Sequence, residues 1–179
     1  MRRYSRQMAI IATLVMGRNQ ATSLGGKSAP ISSSEDRERF LRLHRNAGGY
    51  IIGKNSAAAE SYRLAKVPIF ILSRSSNPLT LTHPMMQQVF VGENLGEIVR
   101  KIAEDLTGDL VVEAGPSLLL ALIADNLIEK LYLSITPVEG DGNFVELDSL
   151  LDTFEIVQDE MVEGTRLLQC RNKGNTGNG

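Results

Sequence analysis

The stretch Gly108 to Asn126, GDLVVEAGPSLLLALIADN, limits what this chain can fold into more than any other. Asp109 to Val112 is a short, mainly apolar run. Gly108 closes it on one side and Glu113-Ala114-Gly115-Pro116 on the other, a length that suits a buried strand better than a helix. A helix should follow. Gly115 is a tolerated N-cap, and Pro116 in the first helical position gives up an N–H that would have no partner there anyway. Leu118 to Ile123 supplies an apolar body, and Asn126 accepts the left-handed conformation common just past a helix end. Strand, glycine turn and helix start together expose the backbone N–H groups of Ser117 and Leu118 beside a positive dipole end, which is a seat for phosphate. Glu113, at the carboxyl end of the strand, borders the same crevice.

A strand leading into a helix occurs throughout α/β proteins, so the continuation matters. Glu113-Ala114-Gly115-Pro116-Ser117-Leu118 is followed by Leu127-Ile128-Glu129-Lys130-Leu131 and then by Pro137-Val138-Glu139-Gly140-Asp141-Gly142. In that order and at those separations, the three segments resemble the reductase domain of riboflavin biosynthesis, found alone or as the C-terminal half of a bifunctional deaminase-reductase. Alternating strands and helices by themselves indicate an α/β domain with a largely parallel sheet and an antiparallel C-terminal edge. The resemblance implies more: a dihydrofolate reductase-like three-layer fold with a mostly parallel central sheet and an antiparallel C-terminal hairpin. It also implies NADPH as cofactor and a homodimer. On the same basis Gly115, Pro116, Ser117 and Leu118 bind the cofactor, and Glu113 is the catalytic-site residue that holds substrate.

Composition narrows the class. With 179 residues, 42% of them hydrophobic and 22% charged, one domain is the expectation, over residues 1–171. Nineteen basic against twenty-one acidic side chains leave a net charge of −2, so no global field gathers nucleic acid or an anionic membrane, and neither is expected as a partner. A small-molecule substrate is. Cys170 is the only cysteine, which excludes an intrachain disulfide and suits a reducing compartment such as the cytoplasm. His44 and His83 with one cysteine do not make a metal site, and none is expected. Met1-Arg2-Arg3 ahead of the apolar Met8 to Met16 imitates a secretory signal, but Tyr4-Ser5-Arg6-Gln7 interrupts it. The run also reads as a central strand covered on both faces and is too short to span a bilayer.

Along the chain, Met8 to Val15 is the first expected strand and Met16 to Ser28 a loop. Gly25-Gly26-Lys27-Ser28 lacks the earlier glycine that a phosphate-binding P-loop requires. Gly26-Lys27-Ser28-Ala29-Pro30-Ile31-Ser32-Ser33 instead follows the reductase family's form at this place, which implies that Ser28 touches substrate and Pro30 lines the cofactor. Ser33 with Asp36 three residues on predicts a capped helix with Phe40, Leu41 and His44 on one side and Arg37, Arg39 and Arg42 on a solvated face. His44 is expected to be a partly buried structural residue rather than a catalyst. Arg45 matches, by resemblance, a position that holds the substrate's phosphate.

Gly48-Gly49 should end that helix, Tyr50 to Gly53 should be the second strand, and Lys54-Asn55-Ser56 a turn. The family sets this turn over the cofactor, which places Ser56 and Ala57 there. Where the family continues into an acidic, proline-containing loop, this chain has Ala57-Ala58-Ala59-Glu60-Ser61-Tyr62-Arg63, with Arg63 as a substitute phosphate ligand. Pro68 to Leu72 is the third strand. Ser73-Arg74 immediately after it matches the family's pattern and can offer a hydroxyl and a guanidinium to the 2′-phosphate that separates NADPH from NADH. Gln88 to Val91 is a short strand, and a scaffold helix opens at Asn94 with Leu95, Ile98, Val99, Ile102, Ala103 and Leu106 on one stripe. Leu131 to Ile135 is another strand. Phe154 to Met161 and Thr165 to Arg171 form a terminal hairpin, and Asn172 to Gly179 is expected to be a disordered tail.

The leading functional expectation is an NADPH-dependent reductase that turns the ribosyl group of the riboflavin pathway's ribosylamino-pyrimidinone phosphate into a ribityl chain. Met16 stands where the family has an aspartate, so two alternatives remain: a related reductase of another pyrimidine or pterin, and a nucleotide-binding relative without turnover. The chain has no zinc-deaminase signature.

Overall fold

Strand β1 (Ile10–Gly17) is apolar on both faces because it lies in the interior of the sheet, flanked on each side. The computed structural model describes residues 8–59, 62 and 65–175. After β1 come β2 (Ala21–Ser23), helix α1 (Ser34–His44), β3 (Ala47–Gly53), α2 (Lys54–Ala59), β4 (Ile69–Ser73) and β5 (Met86–Phe90). Then follow α3 (Leu95–Glu104), β6 (Asp109–Glu113), α4 (Pro116–Ala124), β7 (Lys130–Thr136) and β8 (Gly142–Phe144). The chain closes with α5 (Leu147–Leu151), β9 (Phe154–Val162), β10 (Thr165–Asn172) and a single 3-10 turn, Lys173–Asn175. No helix among the described residues is long and apolar enough to cross a membrane.

Eight strands form one sheet in the order β5-β4-β3-β6-β1-β7-β10-β9. The first six are parallel, and β10 runs antiparallel to both β7 and β9. β1 pairs with β6 from Ile10↔Leu110 to Ala12↔Val112, and with β7 from Ile11↔Lys130 to Gly17↔Thr136. On one face Ala12, Leu14, Met16, Val112, Leu131 and Leu133 pack against the apolar sides of α3, α4 and α5. On the other, Tyr50, Ile52, Ile69, Ile71 and Val111 form a second core with Ala57 of α2. Helices thus cover both faces, the three-layer arrangement expected from the alternation of elements.

The organising segment folds as its residues dictate. Gly115 is the extended N-cap of α4, Pro116 opens the helix, and Asn126 ends it at φ 55°. The C-terminal hairpin turns on Glu163 and Gly164, both at positive φ, the geometry a two-residue hairpin turn needs.

Several local expectations change. Gly48 and Gly49 do not end α1; they lie within β3, because a Cβ on Gly48 would sit 2.6 Å from the Thr107 carbonyl oxygen, so the strand can approach that loop only as glycine. Lys54-Asn55-Ser56 is the first turn of α2 rather than an open turn. The supposed loop after Met16 contains β2, which pairs with β8 through Ala21↔Phe144 and Ser23↔Gly142. α5 was not foreseen; Glu146 caps it by accepting from the Asp148 and Ser149 N–H groups. Leu41 faces solvent. β10 extends one residue past the expected domain end at 171, since Asn172 is buried and its amide donates to Asn126 Oδ1 and the Ile128 carbonyl at 2.8 and 2.9 Å. Of the expected tail, residues 176–179 lie outside the described residues, as do Met1 to Arg3 of the signal-like start.

Candidate functional site

Parallel strands bring their carboxyl ends to one edge, and most of the chemistry-bearing residues singled out in the sequence collect there. Ile52 of β3 is level with Glu113 of β6, and Gly53 is level with Leu72 of β4, so Glu113, the start of α2 and Ser73-Arg74 follow neighbouring strand ends. Gly115 is exposed, and a Cβ built on it meets no atom within 4 Å. The Leu119 N–H bonds to the Gly115 carbonyl, so α4 starts cleanly and its first-turn amides, including those of Ser117 and Leu118, face the edge. A diphosphate fits this donor set: backbone N–H groups, a positive helix end and no side chain in the way.

The other expected cofactor residues divide by exposure. Ser73 is buried, and its hydroxyl accepts from the Ser75 N–H at 3.1 Å and donates to the Ser75 carbonyl at 2.9 Å. It therefore shapes the turn on which Arg74 is presented to solvent. Gln88 braces the same turn through bonds to the Ser75 and Asn77 carbonyls and from the Leu79 N–H. Ser56 and Ala57 are half-buried in α2. Ser28 is half-buried and Pro30 exposed in the segment that leads into α1. That segment is tied across the edge: Asp141 accepts from the Gly25 N–H, and Asn19 exchanges bonds with the Gly140 backbone at 2.9 and 3.1 Å. Arg45 is exposed and caps the C-terminus of α1, directly after His44 and two residues before Ala47. Arg63 lies outside the described residues.

Glu113 stands at the carboxyl end of β6, and its side chain turns toward α1. There Glu113 Oε1 meets His44 Nε2 in an ion-pair contact, with side-chain exposures of 6% and 21%. Both carboxylate oxygens and Nε2 are shielded from solvent. His44 is held between rings: Phe40 lies 4.0 Å from it, centroid to centroid, and Tyr50 4.5 Å. The sequence showed Phe40 and His44 on one side of a helix, but nothing local marked Glu113 as the partner across the sheet.

α1 crosses the sheet obliquely, and a buried polar network fixes its course. Arg39 was expected on the solvated face; it is only 8% exposed. Its guanidinium donates to the Leu168 carbonyl at 2.9 Å and to Ser134 Oγ at 2.7 Å, and it lies 5.7 Å above the Tyr132 ring. Asp36 accepts from Ser134 Oγ at 2.5 Å and from Ser32 Oγ at 2.6 Å. Burial pulls the Arg39 titration below its ordinary range, opposed by Asp36. The middle of α1 is thereby pinned to β7 and β10 while its end reaches β3. α2 covers β3 and β4 on the same face. β1 carries Thr13 and Val15, both half-buried, just beyond the register that sets Ala12 level with Val112. These two residues were missed because they read only as members of a buried strand.

Burial, and secondarily the Glu113 carboxylate, pushes the Tyr50 hydroxyl up to about 12. The folded chain then holds that proton more tightly than the unfolded chain, whose tyrosines titrate near ~10, so this stabilisation is complete below about pH 10 and is lost as pH rises toward about 12. Tyr50→Phe should flatten that alkaline decline in a urea-unfolding series, and an unchanged slope would rule Tyr50 out as its source.

A surface groove of about 290 Å³ lies elsewhere, between α1 and the amino-end half of the sheet, with Arg39, Arg42, Lys130 and Tyr132 in its walls. It shares no lining residue with the carboxyl edge.

An eight-stranded, mostly parallel sheet with helices on both faces, an antiparallel C-terminal hairpin and a glycine turn into a helix at its carboxyl edge is the dihydrofolate reductase-like fold. Solved structures agree. RibD from Acinetobacter baumannii superposes with a TM-score of 0.71 at 14% identity, over 92% of this chain and 58% of that one, so this chain spans little more than half of that protein's length. A putative riboflavin biosynthesis protein from Shewanella sp. PV-4 gives 0.68 at 17% identity, over 93% and 99% of the two chains. Dihydrofolate reductase from Enterococcus faecalis, complexed with NADP(H) and RAB-propyl, gives 0.67 at 16%, over 92% and 96%. At these identities the likeness is one of fold. No family model matches the chain, and no curated protein matches it in sequence.

Proposed function

We propose that this chain is an NADPH-dependent reductase of the riboflavin-pathway type, converting the ribosyl group of a ribosylamino-pyrimidinone 5′-phosphate into a ribityl chain. One observation carries the reading: the unobstructed Gly115 turn, with the first amides of α4 behind it, shares the carboxyl edge with exposed Arg74 and with Glu113. In this reading Gly115, Pro116, Ser117 and Leu118 hold the cofactor's diphosphate, and Arg74, on the turn shaped by Ser73, takes the 2′-phosphate. Ser56, Ala57 and Pro30 line the cofactor. Ser28 positions the substrate between α1 and α2, Glu113 acts on it through His44 because its own carboxylate is buried, and Arg63 meets the substrate phosphate. Arg45, which directly follows His44 at the end of α1, is proposed to share that task. When bound, the nicotinamide supplies a hydride; the chain's part is to hold the acceptor carbon close and keep water out. The enzyme acts as a homodimer in the cytoplasm.

Titration of NADPH fluorescence tests the reading directly. Arg74→Ala should weaken NADPH binding about 10- to 100-fold while leaving NADH nearly unaffected, as expected for loss of one charged contact. Equal loss for both cofactors would refute the assignment of Arg74.

A second reading keeps the cofactor and changes the substrate to another pyrimidine or a pterin. It is favoured by Met16, whose side chain is fully buried in the core where the family has an aspartate, and by α2, which stands where the family has an acidic loop. NADPH consumption with the phosphoribosylamino-pyrimidine against dihydrofolate separates the two. A chain that binds NADPH and consumes it with neither is the non-catalytic relative.

A further inference from the structure

His44 and Glu113 are arranged as a held imidazole. Glu113 engages Nε2, the rings of Phe40 and Tyr50 fix the plane of the side chain, and a fifth of the side chain remains exposed. When a carboxylate holds one imidazole nitrogen, the tautomer and ring orientation are set and the other nitrogen is left to exchange protons. Here that nitrogen is Nδ1. The pair lies under α1, on the sheet face that also carries Thr13 and Val15 of β1, next to the strand end that leads into Gly115. Among the described residues, Glu113 of β6 and Tyr50 of β3 are the titratable groups that face the imidazole; Phe40 of α1 carries no charge, and Lys54 of the neighbouring α2 is exposed.

We propose that His44 is the proton donor of this cleft, with Glu113 as its positioning residue, and that the substrate group it serves is a C=N bond of a pyrimidine- or pterin-class ligand. The assignment rests on the reductase reading. A bound reduced nicotinamide would supply the hydride for the carbon of C=N. The π electron pair moves to the nitrogen, which takes the proton from His44 Nδ1. The imidazole is left neutral and recovers its proton from water. Product and oxidised cofactor together account for both electrons and both hydrogens. His44 must carry the proton for this step, so turnover should fall at high pH.

The first test needs no cofactor. The chain has two histidines, so imidazole NMR gives two sets of signals, assigned with His83→Gln. Adding 5,6-diaminouracil or folate should move the His44 signals and leave those of His83 in place; signals of His44 that stay fixed with both probes overturn the proposal. NADPH titration is scored separately, so a failure of the cofactor reading is distinguishable from a failure at His44. His44→Gln should then lose about 10²- to 10⁴-fold in turnover, the usual weight of a general acid, along with the decline at high pH, while NADPH affinity is kept. A variant that retains both wild-type turnover and the high-pH decline overturns the role. Should His44→Gln fold poorly, Glu113→Gln gives a second reading: the probes still bind but the response at His44 is diminished. A full wild-type response in that variant removes Glu113 from the assignment.

Discussion

Arg39→Ala is expected to lower the stability of the chain by about 1.5–3 kcal/mol, the usual cost of removing a buried charged hydrogen-bond donor and leaving its acceptors unsatisfied. The loss arises less from the missing bonds than from what is left behind. Asp36 remains as a carboxylate beneath α1, still taking the hydroxyls of Ser32 and Ser134, with the guanidinium gone, and the Leu168 carbonyl loses its side-chain donor. Urea unfolding measures it. A change below about 1 kcal/mol would mean that water replaces the guanidinium and that the network is not needed to pin the helix. The double variant Asp36→Leu with Arg39→Met should recover much of the loss, because an apolar pair leaves no charge behind. Arg39 fixes the angle at which α1 crosses the sheet, so the single variant should also disturb the imidazole signals of His44 before the chain unfolds.

Gly115→Ala separates folding from binding. The backbone at Gly115 is extended, with φ −60° and ψ 162°, which any residue adopts, and the added methyl meets nothing within 4 Å. The fold should therefore lose only about 0.5–1 kcal/mol, the difference between glycine and alanine as an N-cap. NADPH affinity should fall about 10- to 100-fold, because the methyl stands where the diphosphate must approach the amides of α4. Unchanged affinity with unchanged stability would place the diphosphate elsewhere and remove the main support for the cofactor assignment.

How far the sequence could be read depended on whether the cause was local. Gly115, Pro116 and Asn126 announce the start and end of α4 through their own conformational preferences, and the stripe from Leu95 to Leu106 announces α3 by its spacing. The hairpin turn at Glu163-Gly164 is equally self-contained. Gly48 and Gly49 mislead because the reasons for them are distant in the chain, the Thr107 carbonyl at Gly48 and the Leu106 side chain at Gly49, and not a helix end. α2 is hidden because three alanines after Ser56 fit a loop as well as a helix; Ala57 packs on the second core only once β3 and β4 are in place. Arg39 looked like its solvated neighbours; its burial depends on Ser134 and Leu168, which enter only when β7 and β10 are laid beside β1. The same holds for the candidate site. Glu113 and the Gly115 turn are visible in one motif, whereas His44 gains its partner from another element.

The position of β1 bears on how this protein is made. The earliest described strand to leave the ribosome lies inside the sheet, and both of its neighbours, β6 and β7, come from residues 109–136. A nascent chain must therefore carry a segment that is apolar but for Thr13, without its sheet neighbours, until residues 109–113 have been made. Pairings so distant along the chain slow folding, and an exposed strand of this kind is what chaperones bind.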